Sequence, residues 1–168
     1  MLWRDVPVLA QWQFGDRRGS DRMPRFFTLQ QAEQLLPRVE SMIRDAISLK
    51  SEFQEAEAEW QNFSHRITVL GGVLVDHSEL REQKNRRESL AQSLREALEK
   101  IQEYGCIVKD LDIGLIDFPT QFRGEEVYLC WKVGESGIQF WHGIHEGFRG
   151  RKPIDQEFLE HHRGELPN

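Results

Sequence analysis

Cysteine is scarce in this chain: its 168 residues contain only Cys106 and Cys130. A disulfide framework is therefore excluded as the source of stability, and the thiols are read as reduced, in a cytoplasmic setting. Long apolar runs are missing too. No segment approaches the ~18 apolar residues that a membrane span requires. The opening MLWRDVPVLAQWQF is interrupted by Arg4, Asp5 and Pro7, which makes it a poor secretory signal. Positive charge is the minority sign, with 22 Lys and Arg against 28 Asp and Glu and a formal net charge of -6. Nucleic-acid backbones are held by clustered basic side chains, so no nucleic-acid partner is expected. The one basic run, Lys84-Asn85-Arg86-Arg87, reads as a solvated helix face.

What is present suits a single domain of ordinary size, large enough to bury a core. Residues 1–22 show little periodicity and read as a disordered leader; the α+β domain spans 23–154, and 155–168 form a C-terminal tail. From Thr28 the pattern is helical. Thr28 and Gln31 have the spacing of a capping box, and Phe27 stands where a hydrophobic staple would. Apolar residues then recur at Ala32, Leu35, Val39, Met42, Ala46, Leu49, Phe53, Ala56, Trp60, Phe63 and Ile67, in alternating steps of three and four. That spacing is the seam of a long, coiled-coil-like helix over about 29–66, with a kink expected near Pro37. Gly71 and Gly72 end it. Asp76 or Ser78 caps a second helix that runs to Tyr104, with Gly105 as its terminator. Paired antiparallel, the two form a helical hairpin over 28–104. Gln83 and Arg87 interrupt the second seam and make the turn end of the hairpin wet.

Beyond Gly105 the composition turns to β-branched and aromatic residues in short runs, CIVKDL, LIDFPTQF, EVYLCWKV and IQFWH, which predict a small antiparallel β-meander. With Arg123 and Gly124 as turn residues, Phe118 faces Leu129 and Ile116 faces Trp131. Pairing Val133 with Ile138 next sets Trp131 against Phe140 and Leu129 against His142. Period-two alternation then places His142 on one face with Leu129 and Trp131, and Asp117, Cys130 and Trp141 on the other. Both faces are apolar enough to need a cover. The expected fold class is α+β, a long antiparallel helical hairpin packed on the meander.

The succession FTLQQAEQLLPRV, VKDLDIGLIDFP, GEEVYLCWKVGE and FWHGIHEGFRGRKPI, over about residues 26–154, resembles an uncharacterised bacterial family catalogued as domain of unknown function 2203. The resemblance implies signature positions at Asp110, Asp117, Phe118, Pro119, Tyr128, Trp131, Trp141, His142, Gly147, Phe148, Gly150 and Arg151. It implies no activity. Position 145 is His here, where a family member more typically carries Asp or Glu.

Chemistry concentrates in FWHGIHEGFRGRKP. His142, His145 and Glu146 are the candidate metal ligands, for a divalent transition metal such as zinc. Their order does not match the helical zinc-protease motifs, and His142 ends a strand, so a strand end feeding a tight loop is the expected setting. Glu146 is the first choice for third ligand. Asp117 is the other, although the register above puts it across the sheet from His142. Asp117, Trp141, Arg149 and Arg151 are the candidate ligand-binding residues, with the glycine-bracketed arginines suited to an anion. The alternative role for Arg151 is to pin the loop by pairing with Asp110, Asp112 or Asp117. Cys130 reads as a buried thiol without a nucleophile's surroundings.

Three functional classes follow, in this order. The first is a binding module for a metal ion or small anion at 142–151. The second is an interaction protein whose hairpin pairs with a second copy or a helical partner. The third is a metal-assisted hydrolase.

Overall fold

The computed structural model describes residues 26–69, 71 and 76–164; the proposed leader, residues 1–22, lies outside them. Helix α1 runs Leu29–Val69 and helix α2 His77–Glu103. The sheet is built from β1 Ile107–Asp110, β2 Leu115–Phe122, β3 Glu125–Lys132, β4 Phe140–Gly143 and β5 Lys152–Pro153. A short helix α3, Gln156–His161, and a two-residue strand β6, His162–Arg163, follow. The fold is α+β, a long helical hairpin on an antiparallel meander ordered β1-β2-β3-β4-β5, with β6 added beside β2. No helix among the described residues is long and apolar enough to cross a membrane.

Local chemistry sets the helix ends. Thr28 Oγ1 accepts the Gln31 amide at 3.1 Å and Gln31 Oε1 accepts the Thr28 amide at 2.9 Å, the reciprocal pair of a capping box. Phe27, buried, packs edge-on against Phe118 at 5.6 Å and donates its amide to the Pro119 carbonyl, so the start of α1 is tied to β2. Asp76 caps α2 by accepting the Ser78 amide, and Gly105, with φ +85°, follows its last turn.

The buried stripe of α1 differs from the expected seam. Leu36, Ile43 and Lys50 are buried, while Leu35, Met42 and Leu49 are only half-buried. The helix packs on α2 and on the sheet at once, so its apolar face is wider than a two-helix seam and turned toward the sheet. Lys50 reaches the surface end of this face and pairs with Asp112. In α2 the buried residues are Leu94, Leu98 and Ile101, all in its C-terminal half over the sheet. The turn end is laced instead by the Arg87–Glu57 and Arg86–Glu59 ion pairs between the helices.

Arg123 (φ 53°) and Gly124 (φ 86°) form the β2–β3 turn, and Phe118 faces Leu129 and Ile116 faces Trp131, as the turn dictates. The next pairing departs from expectation by one residue: Leu129 faces Trp141, and Tyr128 faces His142. A tight turn causes the shift. Glu135 accepts the Lys132 amide through its side chain at 2.9 Å, donates its own amide to the Lys132 carbonyl, and takes the Trp131 indole N–H on its carbonyl at 3.1 Å. The chain reverses around Gly134 (φ 98°) before Val133 and Ile138 can pair. Because strand side chains alternate, one residue of slip turns all of β4 over. Trp141 therefore joins the helix-facing core with Leu129 and Trp131, and His142 passes to the face that carries Asp117 and Cys130.

Candidate metal centre

The second face of the sheet holds the chemistry. Asp117 on β2 and Cys130 on β3 are direct cross-strand partners, and His142 on β4 lies opposite Tyr128, two residues along from Cys130. Same-face neighbours at these spacings lie within side-chain reach. A carboxylate oxygen, the Cys130 Sγ and a His142 ring nitrogen all fall within 4.8 Å of one another. Asp117 and Cys130 are 0% exposed and His142 2%.

His142 Nδ1 lies 2.8 Å from the Gly143 carbonyl and Nε2 lies 3.1 Å from Asp117 Oδ2. Asp117 Oδ1 is buried and has no hydrogen-bond partner. Lys109 Nζ stands 3.8 Å from Oδ2 and 4.7 Å from the centre of the Tyr128 ring, which meets the imidazole edge-on at 5.7 Å. Burial pulls the His142 pKa down, but its bond to Asp117, the charge of that carboxylate and the Gly143 carbonyl outweigh burial and leave it raised. Burial pushes the Cys130 thiol up, the Asp117 charge pushes it further, and Arg151 only partly opposes them, so the free chain carries a neutral thiol there.

The donor set suits a borderline-soft cation. Carboxylate, thiolate and imidazole are the three ligand types zinc accepts. With Nδ1–H donated to the Gly143 carbonyl, Nε2 is the nitrogen presented to the site, the usual outer arrangement of a ligating histidine. Bringing an ion in requires the Cys130 proton to leave, and the ion's charge supplies the stabilisation that burial denies the thiolate.

The other sequence-predicted residues lie elsewhere. His145 is exposed and outside the cluster. Glu146, also exposed, accepts the Gly143 amide at 2.8 Å and pairs with Lys152 at 2.7 Å; these partners hold its carboxyl below the usual range. Trp141 stacks on Phe158 and leans on Phe122, both at 4.9 Å between ring centres. Arg149 sits exposed in a single 3-10 turn, Phe148–Gly150. Arg151 lies between Phe140 and Phe148 and forms a two-toothed ion pair with Glu135 at 2.8 and 2.7 Å. It also donates to the Cys130 carbonyl at 3.3 Å. It does pin the loop, then, but through Glu135. Asp110 instead accepts the Asp112 amide, and Asp112 serves Lys50.

Sequence reasoning treated Cys130 only as a thiol, named Tyr128 only through the family resemblance, and passed over Lys109 and Glu135. The facing of Asp117 and Cys130 was recoverable, since the Arg123-Gly124 turn alone implies it. The approach of His142 was not, because it depends on the Glu135 turn.

A family model described as "Uncharacterized conserved protein (DUF2203)" matches residues 25–154. No curated protein and no solved structure matches the chain. The chain belongs to the DUF2203 family.

Proposed function

We propose that this DUF2203 member is a metal-binding module that holds one divalent transition-metal ion, zinc by its donor set, between Asp117, Cys130 and His142. The observation that carries this reading is Asp117 Oδ1: a buried carboxylate oxygen that makes no hydrogen bond of its own, set beside an imidazole and a thiol that is at best a weak donor. Leaving such an atom unpaired costs about 1–3 kcal/mol, more for a charged group, and a cation at this point would satisfy it. A thiolate ligand needs a reducing compartment, so a cytoplasmic location belongs to the same proposal. His145 and Glu146 stand outside this ligand set, and exposed Arg149 is the remaining donor for an anion at the loop. Three protein ligands leave one position of a tetrahedral ion for water or a small anion, the arrangement that a metal-assisted hydrolase would also need.

Metal analysis of tag-free protein tests the proposal. About one zinc per chain is expected, retained by His145→Ala and lost from Cys130→Ser and His142→Gln. A metal-free wild type in zinc-supplemented buffer, or full retention in both loss variants, overturns it.

A second reading keeps the hairpin as a surface for self-association or a helical partner. It is favoured by the N-terminal half of α2, which has no buried residue although Leu80 and Leu90 are apolar. Light scattering across a concentration series tests it, and a monomer throughout removes the homodimer.

A further inference from the structure

Lys109 occupies the one irregular place in β1. Val108 pairs with Ile116 and Asp110 with Leu115, so Lys109 is the extra residue of a β-bulge on an edge strand. Ile107 pairs directly with Asp117, so strand alternation sets Lys109, two residues on, over the same face, and its ammonium lies 3.8 Å from the Asp117 oxygen that meets His142. The Lys109 side chain is 26% exposed, against 0% for Asp117. Its stem therefore joins the buried carboxylate to solvent, passing the Tyr128 ring that backs the imidazole.

Resting on the metal reading above, we infer that Lys109 is a tethered competitor cation: its ammonium neutralises Asp117 in the metal-free chain and withdraws to solvent as a divalent ion takes the carboxylate. Both cations want the same oxygen, and like charges a few ångströms apart in a partly buried site repel strongly. Asp117 is fixed mid-strand, and the Asp117–Cys130–His142 triangle is held by backbone pairing, so the flexible four-carbon stem is the part that gives way. Such an arrangement keeps the buried acid from standing alone when no metal is bound, and it sets metal affinity below what the three ligands would otherwise reach. Coupling of this kind is reciprocal: Lys109 weakens the metal, and the metal must equally weaken the hold on Lys109.

The test is zinc titration of the full chain at fixed pH, in competition with a chromogenic chelator, for wild type, Lys109→Met, Lys109→Arg and Cys130→Ser. Lys109→Met is expected to bind zinc at least about tenfold more tightly than wild type, since one opposing charge is gone. Lys109→Arg should stay near wild type, and Cys130→Ser should lose binding. A second readout needs no variant: amine labelling of wild-type Lys109, followed by mass spectrometry, should speed up when zinc is added. Zinc binding by wild type that is unchanged or weakened in Lys109→Met, or Lys109 labelling indifferent to zinc, overturns the competitor role and leaves the metal site standing. Absence of zinc binding in wild type and Lys109→Met alike overturns both.

Discussion

Asp117 Oδ2 and His142 Nε2 meet at 3.1 Å across a gap of 25 residues in the chain, with neither side chain more than 2% exposed. Neither residue adjoins the other's strand; β3 lies between them and contributes Cys130 to the same face. That contact gathers the only buried cluster of metal-ligating side chains among the described residues.

His142→Ala removes the closest hydrogen-bond partner of a fully buried carboxylate while Lys109 still faces it at 3.8 Å, and a loss of about 1–3 kcal/mol is expected. Adding Asp117→Asn to it should cost less than the sum of the two single changes, because the buried carboxylate that lost its imidazole partner is then gone. Urea unfolding with chelator present measures the cycle. A coupling of about 1–3 kcal/mol is the expected result, and strict additivity would mean the pair is not an energetic unit.

Zinc that binds the folded chain alone must raise its stability. At a free concentration of one hundred times Kd the gain is about 2.7 kcal/mol, visible as a higher unfolding midpoint in fluorimetry. Chelation should reverse it, and Asp117→Asn and Cys130→Ser should show no response. A midpoint that rises equally in those variants would place the ion elsewhere.

The Glu135–Arg151 pair is largely buried and joins the β3–β4 turn to the loop that follows β4. Burial raises the Glu135 pKa, but bonds to Arg151 and to the Lys132 amide outweigh it and hold the carboxyl below the usual carboxylate range. A depressed folded value means the contribution is present above the unfolded pKa and disappears as pH falls through the folded one. Glu135→Gln should therefore cost about 2 kcal/mol near neutrality and progressively less as the solution is acidified below the ordinary carboxylate range. Denaturant midpoints across pH test this; a penalty that grows toward low pH contradicts the sign.

Phe158 lies in α3, beyond the family-matched segment, yet it is 0% exposed and stacks on Phe122, Trp141 and His162. His162 in turn accepts the Leu29 amide at the start of α1, 3.2 Å from Nε2. Phe158→Ala should cost about 3–5 kcal/mol through the cavity it leaves. A loss below about 1 kcal/mol in thermal or urea unfolding would show that the segment contributes little.

Gly147 has φ +61°, and the loop turns there into the Phe148–Gly150 element. Gly147→Ala meets no neighbouring atom, so its cost comes from backbone conformation alone, about 1–3 kcal/mol for a φ, ψ pair (61°, -165°) that is essentially glycine's. Gly150→Ala is different, since its new methyl would lie 2.5 Å from Glu146 Cβ. Both substitutions should lower the unfolding midpoint, Gly147→Ala by strain and Gly150→Ala by collision, and an unchanged midpoint in either removes its cause.

Features governed by near neighbours were legible from the residues. The capping box at Thr28 and Gln31, the Asp76 cap, the Gly105 terminator and the Arg123-Gly124 turn each depend on contacts a few positions apart, and each stands as its spacing implies. The α1 stripe was legible only in outline. Its period follows from helix geometry, but which of Leu35 and Leu36 is buried depends on what lies over the helix, and that is both α2 and the sheet.

By itself, then, the order of residues determined the hairpin, the meander, the pairing of β2 with β3 and hence the facing of Asp117 and Cys130, because propensity, capping and two-residue turns act locally. Tertiary structure alone decided that His142 joins them and that Lys109 reaches the same oxygen. The first rests on a one-residue register set by Glu135 bonding back to Lys132, the second on the pairing of Ile107 with Asp117, which sets Lys109 on the same face. In a sheet with two apolar faces the hydrophobic pattern cannot choose between registers, so the position of a single turn chooses for it.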